Sequence, residues 1–121
     1  MKQIRSRATH SHAEFSECGL YRYSLKREWR GVFSEDKGIV GFVMLNPSTA
    51  DATWNDPTLH RCESYALRWW FDGFIITNLF AFRATDPRDM KSAADPVGPE
   101  NDSCILQAAA EAAITICGWG A

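Results

Sequence analysis

Two asparagines stand where an apolar run gives way to polar chain. Asn46 follows Ile39–Leu45, and Asn78 follows Phe74–Thr77. A short continuous apolar run bounded by turn residues reads as a strand buried on both faces. Ligands of open α/β sheets bind outside the carboxyl ends of such strands. If these two strands are parallel neighbours, both asparagines face one crevice. An asparagine side chain offers a donor and an acceptor, which matches a planar amide-like edge such as that of a pyrimidine, and it can also hold a water molecule. The plainer alternative is that each one ends a strand and bonds local backbone.

Other polar residues gather round these two. Pro47, Ser48 and Thr49 follow Asn46 directly. The two hydroxyls can donate to a phosphate or cap the loop. Asp51 can orient that loop or act as an acid/base group. Arg83 closes the second strand region beside Phe80 and Phe82. Such a pairing suits phosphate binding or base stacking, and equally a solvated arginine beside two core phenylalanines. Asp56 is fully explained as a helix cap, and Asp86 and Asp89 are less specific.

No Ser-His-Asp arrangement, P-loop or G-x-G-x-x-G occurs, and nothing calls for a cofactor. Cys18, Cys62, Cys104 and Cys117 form no C-x-x-C pair, and His10, His12 and His60 do not complete a metal-ligand spacing. Reduced, buried thiols are expected.

The elements that position these residues follow from length and pattern. With 121 residues, 45% of them apolar, the chain suits one domain with a core. A net charge of −2 argues against a strongly basic nucleic-acid platform, though not against a local basic patch. No signal peptide and no membrane-length apolar run occurs, so the chain reads as soluble and cytoplasmic.

Residues 1–17 are polar and without period, and read as a flexible segment with a solvated His10-Ser11-His12. Residues 18–121 read as a single α/β domain. Leu20–Trp29 is a first strand, placed at a sheet edge. Asp56-Pro57 opens a helix, with Asp as N-cap and Pro at the first helical position. Its apolar stripe is Leu59, Cys62, Tyr65, Ala66, Trp69 and Trp70, with Glu63 off the stripe. Asp72-Gly73 stops it, and Phe74–Phe82 is a second buried strand. Arg83–Pro99 is a long loop of the kind that is usually functional. Asn101-Asp102 caps a second helix, Ser103–Ala113, with Ile105, Leu106 and Ala109 inward. Ile114–Cys117 is a further apolar strand.

Strands alternating with helices predict a three-layer α/β/α fold with a mainly parallel central sheet. Only two good helices are in hand, which leaves one sheet face uncovered. Either the N-terminal segment covers that face, a partner chain does, or the sequence is truncated at its C-terminus, and a bare face predicts a homodimer.

Two resemblances are carried by longer blocks. ECGLYRYSL, FVMLNPSTADATWNDPTLHRC, TNLFAFRATDPRDM and DPVGPEND resemble the hallmark blocks of a prokaryotic and phage family of unknown function. More distantly, Ile39 to Ala121 resembles the uracil-DNA glycosylase superfamily. VMLNP is similar to that superfamily's water-activating motif and puts Asn46 at the water-activating position. ITNLFAFR is similar to its base-reading motif, with Asn78 as the base-reading residue and Arg83 as the following arginine. The superfamily's His-Pro loop has no counterpart here, and the base-stacking aromatic is unassigned, with Trp54 a candidate from position. The resemblance implies a glycosylase-like hydrolase acting on a nucleobase or nucleoside-type substrate, with DNA or a nucleotide as ligand. Two other readings stand beside it: a base-binding module without cleavage, and an interaction domain in which the asparagines only cap strands.

Overall fold

The computed structural model describes residues 4–29, 37–47, 54–84, 88–89 and 93–119. In chain order the elements are β1 (Ile4–Arg5), β2 (His10–Phe15), β3 (Arg22–Glu28), β4 (Ile39–Met44), β5 (Trp54–Asn55), α1 (Pro57–Arg68), β6 (Gly73–Asn78), α2 (Asn101–Glu111) and β7 (Ile114–Cys117). Five strands form one sheet in the order β2-β3-β6-β4-β7, and β1 pairs with β5 in a second sheet of two.

The mainly parallel three-layer sheet expected from the alternation of strands with helices is not the architecture found. Parallel pairing is confined to β6–β4 and β4–β7, while β2–β3, β3–β6 and β1–β5 are antiparallel. The reason is local. Helices join β4 to β6 and β6 to β7, and such crossovers set strands parallel. β2 and β3 are joined instead by a tight turn, in which Gly19 takes φ 76° and the Ser16 N–H donates to the Tyr21 carbonyl at 3.0 Å. A turn that short permits only an antiparallel pair.

Helices α1 and α2 lie on opposite faces of the sheet. Successive strand residues point to opposite sides, and the packing follows that alternation. Val40, Phe42, Phe74 and Ile76 pack with Leu25 and with Leu59, Cys62 and Ala66 of α1. Ile39 and Ile75 pack against Ala108 of α2. β6 is consequently buried along its whole length. Its first residue has to be glycine, because a Cβ at Gly73 would lie 2.3 Å from the Arg27 carbonyl oxygen of β3.

Several expectations about individual elements are corrected. The N-terminal segment, read as flexible, supplies β1 and β2. β2 is exposed along most of its length as the outer strand of the sheet, with Ala13 packed against the core, and main-chain pairing to β3 holds it. β3 in turn is an inner strand, not the edge. On α1, Asp56 caps as expected, accepting from the Leu59 N–H at 2.8 Å. Glu63, however, is fully buried, and Tyr65, Trp69 and Trp70 are exposed. The buried carboxylate accepts from the Ser6 hydroxyl and the Arg7 N–H, so the N-terminal chain draws it inward. On α2, Leu106 faces solvent, Glu100 stands at the cap without a side-chain cap bond, and Asn101 turns into the core. Of the cysteines, Cys62 is buried, but Cys18 and Cys117 are exposed, Cys117 because β7 is an edge strand.

Burial pushes the Cys62 thiol up from an ordinary 9.0 to about 12. The folded thiol therefore keeps its proton to a higher pH than the unfolded one. Unfolding releases a proton in that window, so stability falls as pH rises from about 9 toward about 12. The difference in unfolding free energy between wild type and Cys62→Ala is expected to shrink between pH 8 and pH 10.5 in denaturant titrations. A difference that stays constant with pH would show that the thiol titrates alike in both states.

Candidate functional site

Parallel pairing of β4 and β6 sets Met44 opposite Asn78, so both strands end on the same edge of the sheet. The chains leaving them stay paired. Leu79 N–H donates to the Met44 carbonyl, Phe80 to Leu45 and Ala84 to Pro47, at 2.9–3.0 Å. The same 79–84 segment bonds to two further parts of the chain. Arg22 N–H donates to Ala81 O at 3.0 Å, and the Ala81 and Phe82 N–H groups donate to Val97 and Pro96 at 3.1 Å. The floor of the sheet edge is thus fixed by main-chain bonds from three directions.

A cleft of about 290 Å³ opens above it, walled by Arg22, Asn46, Pro47, Asp56, Asn78 and Trp119 among others. Asn46 is held in one orientation. Its Nδ2 donates to the Ala84 carbonyl at 2.7 Å and to the Pro47 carbonyl at 3.2 Å. With the amide nitrogen committed to two acceptors, Oδ1 is the end left for a donor from outside. Asn78 is the reverse case. It is 1% exposed, and its Nδ2 has no hydrogen-bond partner. A buried amide N–H without a partner costs about 1–3 kcal/mol, a cost that a ligand acceptor would remove. Its own carbonyl is satisfied by Asn101 of α2, whose Nδ2 donates to Asn78 O at 2.8 Å and Leu79 O at 3.2 Å.

Among the described residues, the charged ones that line the cleft are Arg22 and Asp56. Arg22 is 2% exposed on the inner strand β3. Burial pulls its guanidinium down to about 10, with Asp56 acting against that shift and Arg83 and Arg27 adding to it. The guanidinium remains a cation at neutral pH. Asp56 is positioned from its N-terminal side by β5. The fully buried Arg27 clamps Asn55 through Nε and Nη2 to Oδ1, at 3.0 and 2.8 Å, and donates to the Trp54 carbonyl.

The structure brings together three of the residues singled out in the sequence: Asn46, Pro47 and Asn78. Ser48, Thr49 and Asp51 lie outside the described residues. Arg83 points elsewhere, with its guanidinium 4.8 Å from the Phe15 ring and donating to the Gly19 carbonyl at 3.4 Å. Phe80 and Trp54 are not among the described residues that line the cleft. Sequence reasoning passed over Arg22, Asp56, Thr58 and Trp119. The one signal for Arg22 was a cation inside an aromatic strand, and it lost force once that strand was read as an edge. Among the described residues, no group of three or more His, Cys, Asp or Glu side chains is placed to hold a metal ion. No helix among them is long and apolar enough to cross a membrane.

Asn101 supports the site from beneath. Asn101→Ala removes the donor to both the Asn78 and Leu79 carbonyls. It is expected to lower stability by about 1–3 kcal/mol, the cost of leaving buried acceptors unmet. Chemical unfolding measures this, and an unchanged midpoint with an unchanged slope would show that the strand end does not depend on that side chain.

No curated protein and no solved structure matches the chain. A family model does, over residues 22–121, which takes in β3 through β7 and every described residue named above as lining the cleft. The chain belongs to the family described as Protein of unknown function (DUF1643).

Proposed function

We propose that the cleft binds a nucleobase or nucleoside-type ligand and hydrolyses its N-glycosidic bond. The observation that carries this is the pinned amide of Asn46, whose Nδ2 is spent on two backbone carbonyls while Oδ1 is left to accept from a water. Asn78 presents an unpartnered Nδ2 in the same cleft, suited to a carbonyl oxygen on a base edge. Trp119, 42% exposed, supplies an aromatic wall on which a base can stack. In the reaction the water oxygen bonds to the sugar carbon as the C–N bond breaks, and the bonding pair leaves with the base. Asp56 lines the cleft, and its carboxylate can take the water's proton and pass it on to the departing base.

A second reading, binding without cleavage, draws on Arg22. Positive charge develops on the sugar in glycosidic cleavage, and a buried guanidinium in the same cleft opposes it. A recognition module has no such conflict.

The test is a base-release assay on uracil-, hydroxymethyluracil- and mismatch-containing DNA and on free nucleosides, alongside melting-temperature shifts. Wild type is expected to release base, with Asn46→Ala reducing the rate roughly 100-fold or more, as loss of a positioned polar group does. Asn78→Ala and Trp119→Ala are expected to weaken binding. Release that survives Asn46→Ala would remove its assigned role. A melting shift without release would leave the second reading standing, and neither effect would overturn both.

A further inference from the structure

We propose that the chain forms a two-fold homodimer, in which β7 pairs antiparallel with β7 of a second copy in a register centred on Thr115. The surface lies outside the cleft, and the proposal does not depend on any ligand.

β7 is an edge strand of the five-stranded sheet, and among the described residues no strand pairs with its outer side. The helices pack elsewhere, α1 on β4 and β6, and α2 on β3, β6 and β4. Ile114 is 53% exposed, and Thr115 and Cys117 are exposed as well. The parallel register with β4 sets Ile114 beside Val40 and Ile116 beside Phe42, so both isoleucines lie on the α1 face of the sheet. There they adjoin an aromatic patch. Trp69 stacks on Phe42 with ring centres 6.5 Å apart, and Tyr65 stacks on Trp69 at 5.3 Å. Tyr65 and Trp69 are one helical turn apart. The contact with Phe42 puts them on the flank of α1 nearer β7, and both are exposed. Strand edge and helix flank thus form one open apolar surface.

Charge decides what covers it. A sheet edge offers a row of main-chain donors and acceptors, and proteins that avoid edge pairing block it with charge, proline or a bulge. The opposite edge is blocked in this way: β2 carries His10, His12 and Glu14, and its register shifts at Glu14/Phe15. No charged residue or proline occurs between Ala112 and Trp119. A partner recognised by charge has nothing to meet there. A second copy meets its own sequence, and an uncharged strand sets no like charges against each other across a two-fold axis. The strand is also self-complementary. Opposed residues of an antiparallel pair point to the same face. Centred on Thr115, the pairing sets Ile114 of each copy opposite Ile116 of the other, and Thr115 opposite itself. The isoleucine pairs remove apolar surface from water on the α1 face, and paired threonines hydrogen-bond across such a ladder. Tyr65 and Trp69 of both copies flank the isoleucine pairs. The assembly closes at two copies, because the edges left outside are the blocked β2 strands.

The test is sedimentation equilibrium of the full chain across the micromolar range. Wild type is expected to be a dimer. Thr115→Lys changes an exposed side chain and opposes two like charges at the axis. It is expected to raise the dimer dissociation constant roughly 100-fold or more. Cross-linking reads the register, in a chain that also carries Cys18→Ser and Cys117→Ser. Thr115→Cys is expected to give a disulfide-linked dimer on mild oxidation, because directly opposed residues have Cα atoms about 4.5–5.5 Å apart, within disulfide reach. Leu106→Cys, exposed on α2, is the control expected to stay unlinked. If Thr115→Lys fails to fold, the cross-linking comparison decides. A wild-type monomer throughout the range overturns the proposal. So does a dimer that links no better through Thr115→Cys than through Leu106→Cys. Species that grow beyond the dimer with concentration overturn the closed two-fold pairing.

Discussion

A strand buried on both faces has nowhere to place a polar group except at its end, and β6 is such a strand. Helix α1 covers one side of it and α2 the other, so Phe74 and Ile76 serve one core while Ile75 serves the second. The demand for hydrogen bonds is therefore concentrated at Asn78. Its main-chain oxygen is met by Asn101 from α2, and the first turn of that helix is fixed in the same contact. Its side-chain nitrogen is not met. The core and the site are thus two outcomes of one constraint, and the residue at the boundary carries both.

The cleft gains its definition from backbone more than from side-chain packing. Residues 79–84 bond to the exit of β4, to the start of β3 and to the 96–97 segment. Main-chain pairing of that kind leaves little freedom to the carbonyls that grip Asn46. A side chain held by fixed acceptors needs no reordering when a ligand arrives, which is the physical content of preorganisation. The charges are set differently. Arg22 and Asp56 come from separate elements, and the clamp of Arg27 on Asn55 brings the second of them into place.

How much of this was legible in the sequence differs from element to element. β4, β6 and β7 announce themselves as apolar runs, and Asp56-Pro57 marks the start of α1, because burial and capping leave local signatures. β2 leaves none. His10–Phe15 is mostly polar, with Ala13 and Phe15 its apolar residues, and pairing to β3 is what makes it a strand. The direction of β3 depends on a turn whose key conformation belongs to Gly19, which a helix-alternation rule does not see. Reading β3 as an edge then hid Arg22, since an arginine at an edge is unremarkable and one on an inner strand is not. Glu63 was placed on the solvent side of α1 because its partners, Ser6 and Arg7, lie more than fifty residues away. Trp119 was only a residue after a strand until the fold carried β7 beside β4.

Asp56 ties two properties of the molecule that are usually independent. The same carboxylate closes the amino end of α1 and stands in the cleft near Arg22. The cap needs only an oxygen acceptor, which asparagine or serine supplies nearly as well. The cleft needs the charge. The position is thus neutral to exchange from the standpoint of the helix and restrictive from that of the guanidinium. In any chain sharing this arrangement, the identity of the capping residue records whether the cation beside it is balanced from within the protein or left to be balanced from outside.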